Sequence, residues 1–359
     1  MKKNIRVAGM LATLSAAMTG SAYAQSSVTI YGIADAGVIY KTGAGAHGGN
    51  STSVASGVES TDRWGFRGTE DLGGGLKATF NLENGYRINT GQGINGSQPT
   101  TSSVLFDRGA TVGLESQKLG SVQLGRNWSP FHDSLAAIDV SGFINFGSLN
   151  TISYQNGSGY NGAQYYWIDN SVKYTTPKIA GFTAVGLYGL GGTAGDFSSK
   201  SVISARLSYQ LGIATLDGAY FHGRDLTGVT DRSVAQAYTI GAKVVFDKWR
   251  LAADMTNFKN PSNGASQNFY TAEAVYRLTP TWNLSGAYIR LDDRANGERD
   301  ASLYRFVADY FFSKATNLYA AVGYVKNNSL GTLGILNSTP AGGPGENQFA
   351  AAVGIRHLF

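Results

Sequence analysis

The chain has 359 residues, 29 basic and 24 acidic side chains, and a formal net charge of +5. It holds no cysteine, which excludes disulfide staples, thiol chemistry and Cys-ligated metal. Three positive charges lie in the first six residues, so the remainder carries 26 basic against 24 acidic groups and gives no reason to expect a nucleic-acid partner.

Met1 to Ala24 reads as a secretory signal peptide. Lys2, Lys3 and Arg6 form its positive start, Val7 to Met18 is an apolar run too short to span a bilayer, and Ala22-Tyr23-Ala24 is a small-x-small cleavage site, placing the mature start at Gln25. Beyond it no stretch offers about 18 consecutive apolar residues, so no transmembrane helix is expected. Glycine is abundant at 48 residues, proline is scarce at seven, and aromatics make up 12%. An exported chain of this kind suggests an all-β membrane barrel, whose strands alternate apolar residues toward lipid with polar ones toward the lumen.

The alternation begins at Val28 to Tyr40, where Val28, Ile30, Gly32, Ala34, Ala36 and Val38 share one face and Thr29, Tyr31 and Asp35 the other. Lys41 to Ser60 reads as a Gly/Ser/Ala-rich loop without strand pattern. Thr61 to Asp71 follows, with Trp64 and Phe66 on one face and Arg63 and Arg67 on the other. Leu72 to Gly75 is a tight turn, since glycine tolerates positive φ. From Leu76, residues Leu76, Ala78, Phe80 and Leu82 point outward and Lys77, Asn81, Glu83 and Arg87 inward; a Gly/Ser/Thr loop spans Asn89 to Ser103. Val104 to Glu115 and Ser121 to Trp128 form the next hairpin. Strict alternation there turns Arg108 and Arg126 toward lipid, at a cost of roughly 2–4 kcal/mol at mid-depth, so a bulge or an inward bend is expected at both.

Ser129 to Tyr166 is the longest run that reads as neither strand nor tight turn. It opens on Ser129-Pro130, carries Asp133 and Asp139 with no Lys or Arg, and is rich in aromatics. Insertions of this length are usually functional, and the expectation is a loop folded into the lumen that narrows it. Strands then resume at 167–176, 181–191, 201–211, 213–222, 234–246, 249–258, 268–278, 282–292, 302–312, 317–326 and 347–359. Connections alternate short and long, as in barrels with periplasmic turns and extracellular loops. Five strands before the long loop and eleven after it predict a 16-stranded antiparallel transmembrane β-barrel, one domain over 25–359. Trp64, Trp167, Trp249 and Trp282 near strand ends suit interfacial aromatic girdles.

The last strand stops on Phe359, with Phe349, Val353, Ile355 and His357 on the same face. Pairing with the first strand removes both sheet edges. Several segments carry a resemblance that covers the mature chain. They are Ser26 to Asp35; Arg63-Trp64-Gly65-Phe66-Arg67-Gly68 continuing to Ala78; Leu124-Gly125-Arg126; Asn170 to Tyr174; and Val353 to Phe359. The chain resembles the Gram-negative trimeric general porins of the beta-proteobacterial branch. The resemblance implies a homotrimer, an inward-folded third extracellular loop, an electrostatically polarised constriction and a terminal Phe359 read by the outer-membrane assembly machinery. Arg63 and Arg108 match wall arginines of the family, and Glu83 matches an acidic position on the third strand. The branch can carry a further arginine just before Asn170-Ser171-Val172, where this chain reads Tyr166-Trp167-Ile168-Asp169.

Nothing points to catalysis. His47, His132, His222 and His357 show no metal-ligand spacing, and His132 reads as a solvated loop residue. Nucleophile-elbow, zincin and phosphate-loop motifs are absent, so no catalytic residue, metal or cofactor is expected. The expected constriction sets Arg63, Arg67, Arg108 and Arg126 on a basic wall against Glu83, Asp133 and Asp139. Such charges facing across a narrow gap would act on ions and small hydrophilic solutes with weak anion preference. The alternatives are a substrate-specific channel on the same fold and a non-conducting structural or adhesin barrel. Outer-membrane lipid and lipopolysaccharide complete the expected surroundings.

Overall fold

The computed structural model describes residues 27–45, 48–94, 104–149, 165–230, 232–336 and 340–359; the expected signal peptide, His47 and residues 150–164 of the long loop lie outside them. The strands are β1 (Ser27–Lys41), β2 (Ser51–Ser56), β3 (Arg63–Gly73), β4 (Leu76–Gly85), β5 (Gly109–Ser116), β6 (Gly120–Trp128), β7 (Trp167–Thr175), β8 (Phe182–Gly189) and β9 (Val202–Leu211). They continue as β10 (Ala214–Arg224), β11 (Ser233–Phe246), β12 (Trp249–Asn260), β13 (Ala265–Thr279), β14 (Trp282–Asp293), β15 (Ala301–Phe311), β16 (Thr316–Asn327) and β17 (Gln348–Leu358). Among the described residues one α-helix, α1 (Pro130–Ile138), follows β6.

Each strand pairs antiparallel with its neighbours, and β1 meets β17 from Ile33↔Leu358 to Lys41↔Ala350, closing the sheet. On its other side β1 pairs first with β3, from Ser27↔Thr69 to Ile33↔Arg63, and then with β2, from Ala36↔Ser56 to Lys41↔Ser51. β2 and β3 therefore share one place in the ring, and the barrel has sixteen positions. The run Lys41 to Ser60, expected to lack strand, contains β2. Between β2 and β3, residues 57–62 turn away from the sheet. Asp35 holds this turn, accepting hydrogen bonds from the Glu59 and Ser60 amides at 2.8 and 2.6 Å.

Closure matters because lipid offers no partner to an unpaired backbone amide. The side chains obey the same solvent. Val28, Ile30, Val38, Val112, Ile240 and Val353 are exposed on the outer face, while Asp35, Asp217, Glu273 and Arg305 are buried inside. This inverts a water-soluble protein and is what a lipid-facing exterior requires. At the β3–β4 turn Gly74 and Gly75 both have positive φ, 62° and 80°, the primed geometry that matches strand twist. Trp249 packs on Tyr276 and Trp282 on Tyr310 beside the short turns. Trp167 departs from the expected girdle: it is buried against Trp128, ring centroids 4.6 Å apart.

The seam is latched by the chain terminus. The Gly32 amide donates to the Phe359 carbonyl at 2.9 Å, and the Phe359 amide donates to the Gly32 carbonyl at 3.1 Å. The terminal ring lies over Gly32, where an added Cβ would meet its Cζ at 2.3 Å.

The apolar core lies inside the barrel, under α1. Ser129 caps the helix by accepting from the His132 amide at 3.1 Å, and Pro130 supplies the preset φ of the first turn. The run expected to be free of secondary structure thus opens on a helix. Its buried face, Phe131, Ser134, Leu135 and Ile138, packs on the inner side of β9 to β12. Phe131 sits among Tyr165, Phe221 and Phe258. The Ser134 hydroxyl donates to Asp217 at 2.5 Å, and the Phe131 amide to the Ser204 hydroxyl at 3.1 Å. Past the helix the chain reaches the inward turn: the Asn145 amide donates to the Glu59 carbonyl at 2.8 Å, and its Nδ2 donates to the Gly57 carbonyl at 2.8 Å. Residues 129–149 thus cross the interior from the β9–β12 wall to the turn at 57–62.

Candidate pore constriction

The turn at 57–62 delivers Arg63 at the head of β3, where its Nε donates to the Thr61 carbonyl at 3.0 Å. Glu83, one strand over on β4, accepts from Arg108 Nε at 2.7 Å and from the Tyr31 hydroxyl at 2.9 Å. Arg108 escapes the lipid face because it precedes β5, in a turn whose amide donates to the Glu83 carbonyl at 3.1 Å. Its guanidinium lies 5.2 Å over the Trp128 ring and 5.7 Å over Trp167. Desolvated contacts of a cation with an aromatic face are attractive, so the rings fix the arginine without neutralising it. Arg126 sits at a register shift between Gly125 and Asn127, with Gly125 at φ 124°, a value that favours glycine. That bulge lets Arg126 Nε donate to the Asp107 carbonyl at 2.7 Å and Nη1 to Asp169 at 2.5 Å.

The acids of the loop are already engaged. Asp133 accepts from Lys173 Nζ at 2.5 Å and stands 3.8 Å from His132 Nδ1. Burial pushes its carboxyl up, but the His132 contact and the Lys173 ammonium outweigh burial and hold it below the usual carboxylate range. Burial also pushes His132 down, against the pull of the neighbouring Asp133 carboxylate. Asp139 bonds its own loop, accepting from the Ser141 and Phe143 amides at 2.8 and 2.7 Å.

Arg63, Glu83, Arg108, His132, Phe143 and Asn145 line a polar cavity of about 280 Å³ between the β3–β5 wall and the loop. It gathers three of the sequence-expected residues, Arg63, Glu83 and Arg108. Arg67 lies apart, over the Tyr31 ring at 5.0 Å. Arg126, Asp133 and Asp139 are not among the lining residues. Glu83 stands on the same wall as the arginines rather than opposite them. The sequence reading did not assign Trp128 or Phe143 to the constriction and placed His132 in solvent. The imidazole is instead stacked on the Trp128 ring, centroids 3.9 Å apart, where β6 leads into the helix. Two guanidiniums and one carboxylate border the cavity, and a low-dielectric surround strengthens the field of charges held in such a place.

Residues 11–330 match the Gram-negative porin family. The chain belongs to the Gram-negative porins. Outer membrane porin protein 32 of Delftia acidovorans is 32% identical over 374 residues, covering all of both chains. An outer membrane porin protein of Bordetella pertussis is 28% identical over 421 residues, again covering all of both. The solved structure of an anion-selective porin from Comamonas acidovorans is similar with a TM-score of 0.79 at 28% identity, over 93% of this chain and 100% of that one. This porin is therefore a multi-pass β-barrel of the outer membrane, in the beta-proteobacterial branch, and forms a channel for passive diffusion of ions and small hydrophilic solutes.

Proposed function

We propose that the narrowest part of this porin lies between the β3–β5 wall and the loop at about 129–166, and that it prefers anions weakly. The observation that carries this reading is the lining of the cavity. Arg63, Arg108 and one carboxylate, Glu83, border it, while Asp133 is held by Lys173 and Asp139 by backbone amides. Charges beyond about 8–10 Å are screened at physiological salt, so these few groups decide selectivity and the net charge of the chain does not. The chain acts as a filter and not as an enzyme. Reversal potentials across a KCl gradient in planar bilayers test the preference. Wild type should favour chloride, and Arg63→Gln with Arg108→Gln and Glu83→Gln, which also removes the carboxylate bonded to Arg108, should move the potential toward cations. Arg356→Gln should move it less, because Arg356 is tied to Glu59 at 3.5 Å. A triple variant at the wild-type potential would show that these groups do not face the ion path.

We further propose a homotrimer packed through the outer face of β1, β2 and β17, embedded in outer-membrane lipid and lipopolysaccharide. An apolar groove of about 800 Å³ runs there past Ala36, Val38, Val54 and Val353. The space above Gly32 is filled by the Phe359 ring of its own chain. Phe359 then has two tasks, latching the seam and presenting the last strand to the assembly machinery. Deleting it should leave protein in the periplasm and abolish the heat-labile trimer band on gels. Normal trimer yield from the deletion would refute both roles.

A further inference from the structure

We propose that Glu59 and Asp309 are positioning residues for the constriction: sharing one proton, they seat the turn at 57–62 on the barrel wall, and that turn holds the loop. This rests on the reading above that the loop narrows the channel, and it adds a control on where the loop stands. The wall under the turn is built for contact. Asp35 on β1, Arg356 on β17 and Asn317 on β16 are successive partners across the seam. Arg356 Nε donates to Asn317 Oδ1 at 3.0 Å, and Asn317 Nδ2 donates to Glu59 at 3.1 Å and to Asp309 on β15 at 2.9 Å. One buried nitrogen thus draws two carboxyls together, and they stand in hydrogen-bonding contact with each other. Two ionised carboxylates in contact repel, whereas a carboxyl and a carboxylate attract through the shared proton.

The charges around the pair are mixed. Arg356 Nη1 lies 3.5 Å from Glu59 and donates to the Ser60 hydroxyl at 3.2 Å, and Arg250 faces Asp309 from β12. Against these cations stand two further acids. Asp35 accepts the Glu59 and Ser60 amides and the Tyr319 hydroxyl, the last at 2.7 Å. Asp62 accepts the Asp35 amide at 2.5 Å and faces Arg63. Burial pushes the Glu59 carboxyl up to about 8; Asp309 adds to the rise, and Arg356 and Asn317 oppose it. A carboxyl held above its ordinary range stabilises its seat fully at acid pH, and that stability is lost as pH climbs through the raised value. The loop hangs on the same turn. The Glu59 carbonyl accepts from the Asn145 amide, and the Gly57 carbonyl and Thr61 hydroxyl accept from Asn145 Nδ2 at 2.8 and 3.1 Å. A turn pushed off the wall therefore slackens the loop.

Single channels in KCl at about 1 M, where charges are screened beyond about 3 Å, read the loop's position rather than the field of the lumen. Between about pH 6 and about pH 9 wild type should gain unit conductance and open-channel noise. Glu59→Gln and Asp309→Asn each remove one ionisable partner and should flatten the profile, leaving a quiet channel at both ends. Asp309→Asn decides the matter if Glu59→Gln fails to assemble. Asn145→Ala loosens the loop directly and should show the alkaline channel already at the acid end. A flat wild-type profile beside a raised conductance in Asn145→Ala would overturn the proton-held seat alone. A wild-type rise that persists in both carboxyl variants would also overturn it. Conductance unchanged in Asn145→Ala and in wild type at every pH would overturn the constriction reading itself.

Discussion

The two sides of the lumen are built from opposite materials. Under α1, the inner faces of β9 to β12 are dry: Phe131, Tyr165, Phe221 and Phe258 are fully buried, and Asp217 is bonded by both Ser134 and Arg206. Across the interior, β3 to β5 present arginines to a polar cavity. One wall holds the loop, and the other, in the reading proposed above, faces the solutes. The division has a physical reason. A loop in a water-filled channel meets solvent competition for every polar contact, so it stays put only where apolar packing excludes water. A selective wall needs the reverse, charges fixed in place and reachable.

The sharpest way to break this contrast is to loosen the dry side. Phe131 makes ring contacts with Tyr165, Phe221 and Phe258 at 5.8, 6.4 and 5.7 Å. Replacing a buried Phe by Ala typically costs about 3–5 kcal/mol. The strand ladder does not involve this side chain, so Phe131→Ala should leave the barrel closed while freeing the loop. Unit conductance should rise and open-channel noise with it. A quiet channel of wild-type conductance would show that the turn at 57–62 and not the helix seat holds the loop.

Much of this was legible because lipid and lumen impose a period of two. The strand expected at 249–258 is Trp249–Asn260, and that at 317–326 is Thr316–Asn327. The pattern fails where its cause is missing. β2, Ser-Thr-Ser-Val-Ala-Ser, has no apolar alternation and is defined only by its ladder with β1. α1 is nine residues long, too short for its period to stand out, although Ser129-Pro130 marks its start. For Arg108 and Arg126 the cost of a guanidinium in lipid predicted a break in alternation, and the breaks are there, one a turn and one a bulge. Trp167 and His132 were misplaced because an aromatic ring suits a lipid interface and a packed interior alike. The bond between Asp133 and Lys173 spans 40 positions and leaves no local trace.

That bond gives the smaller test of the contrast, since it ties the dry side to the selective one. Lys173 Nζ donates to Asp133 at 2.5 Å and to the Trp128 carbonyl at 2.9 Å, fixing the helix start beside the ring that lies under Arg108. Removing one partner of a buried pair costs about 3–5 kcal/mol. Asp133 keeps 25% of its side-chain surface exposed, so Lys173→Met should cost less than that. The variant should also release an uncompensated negative charge beside the cavity. Its thermal midpoint should fall, and its reversal potential should move toward cations by less than in the Arg63, Arg108 and Glu83 triple variant. Adding Asp133→Asn should restore both, because the stranded charge is then gone; the cycle isolates the pair from the loss of the Trp128 contact. If Lys173→Met matches wild type in both readouts, the loop acid is not masked by this lysine, and the weak anion preference must come from the arginines alone.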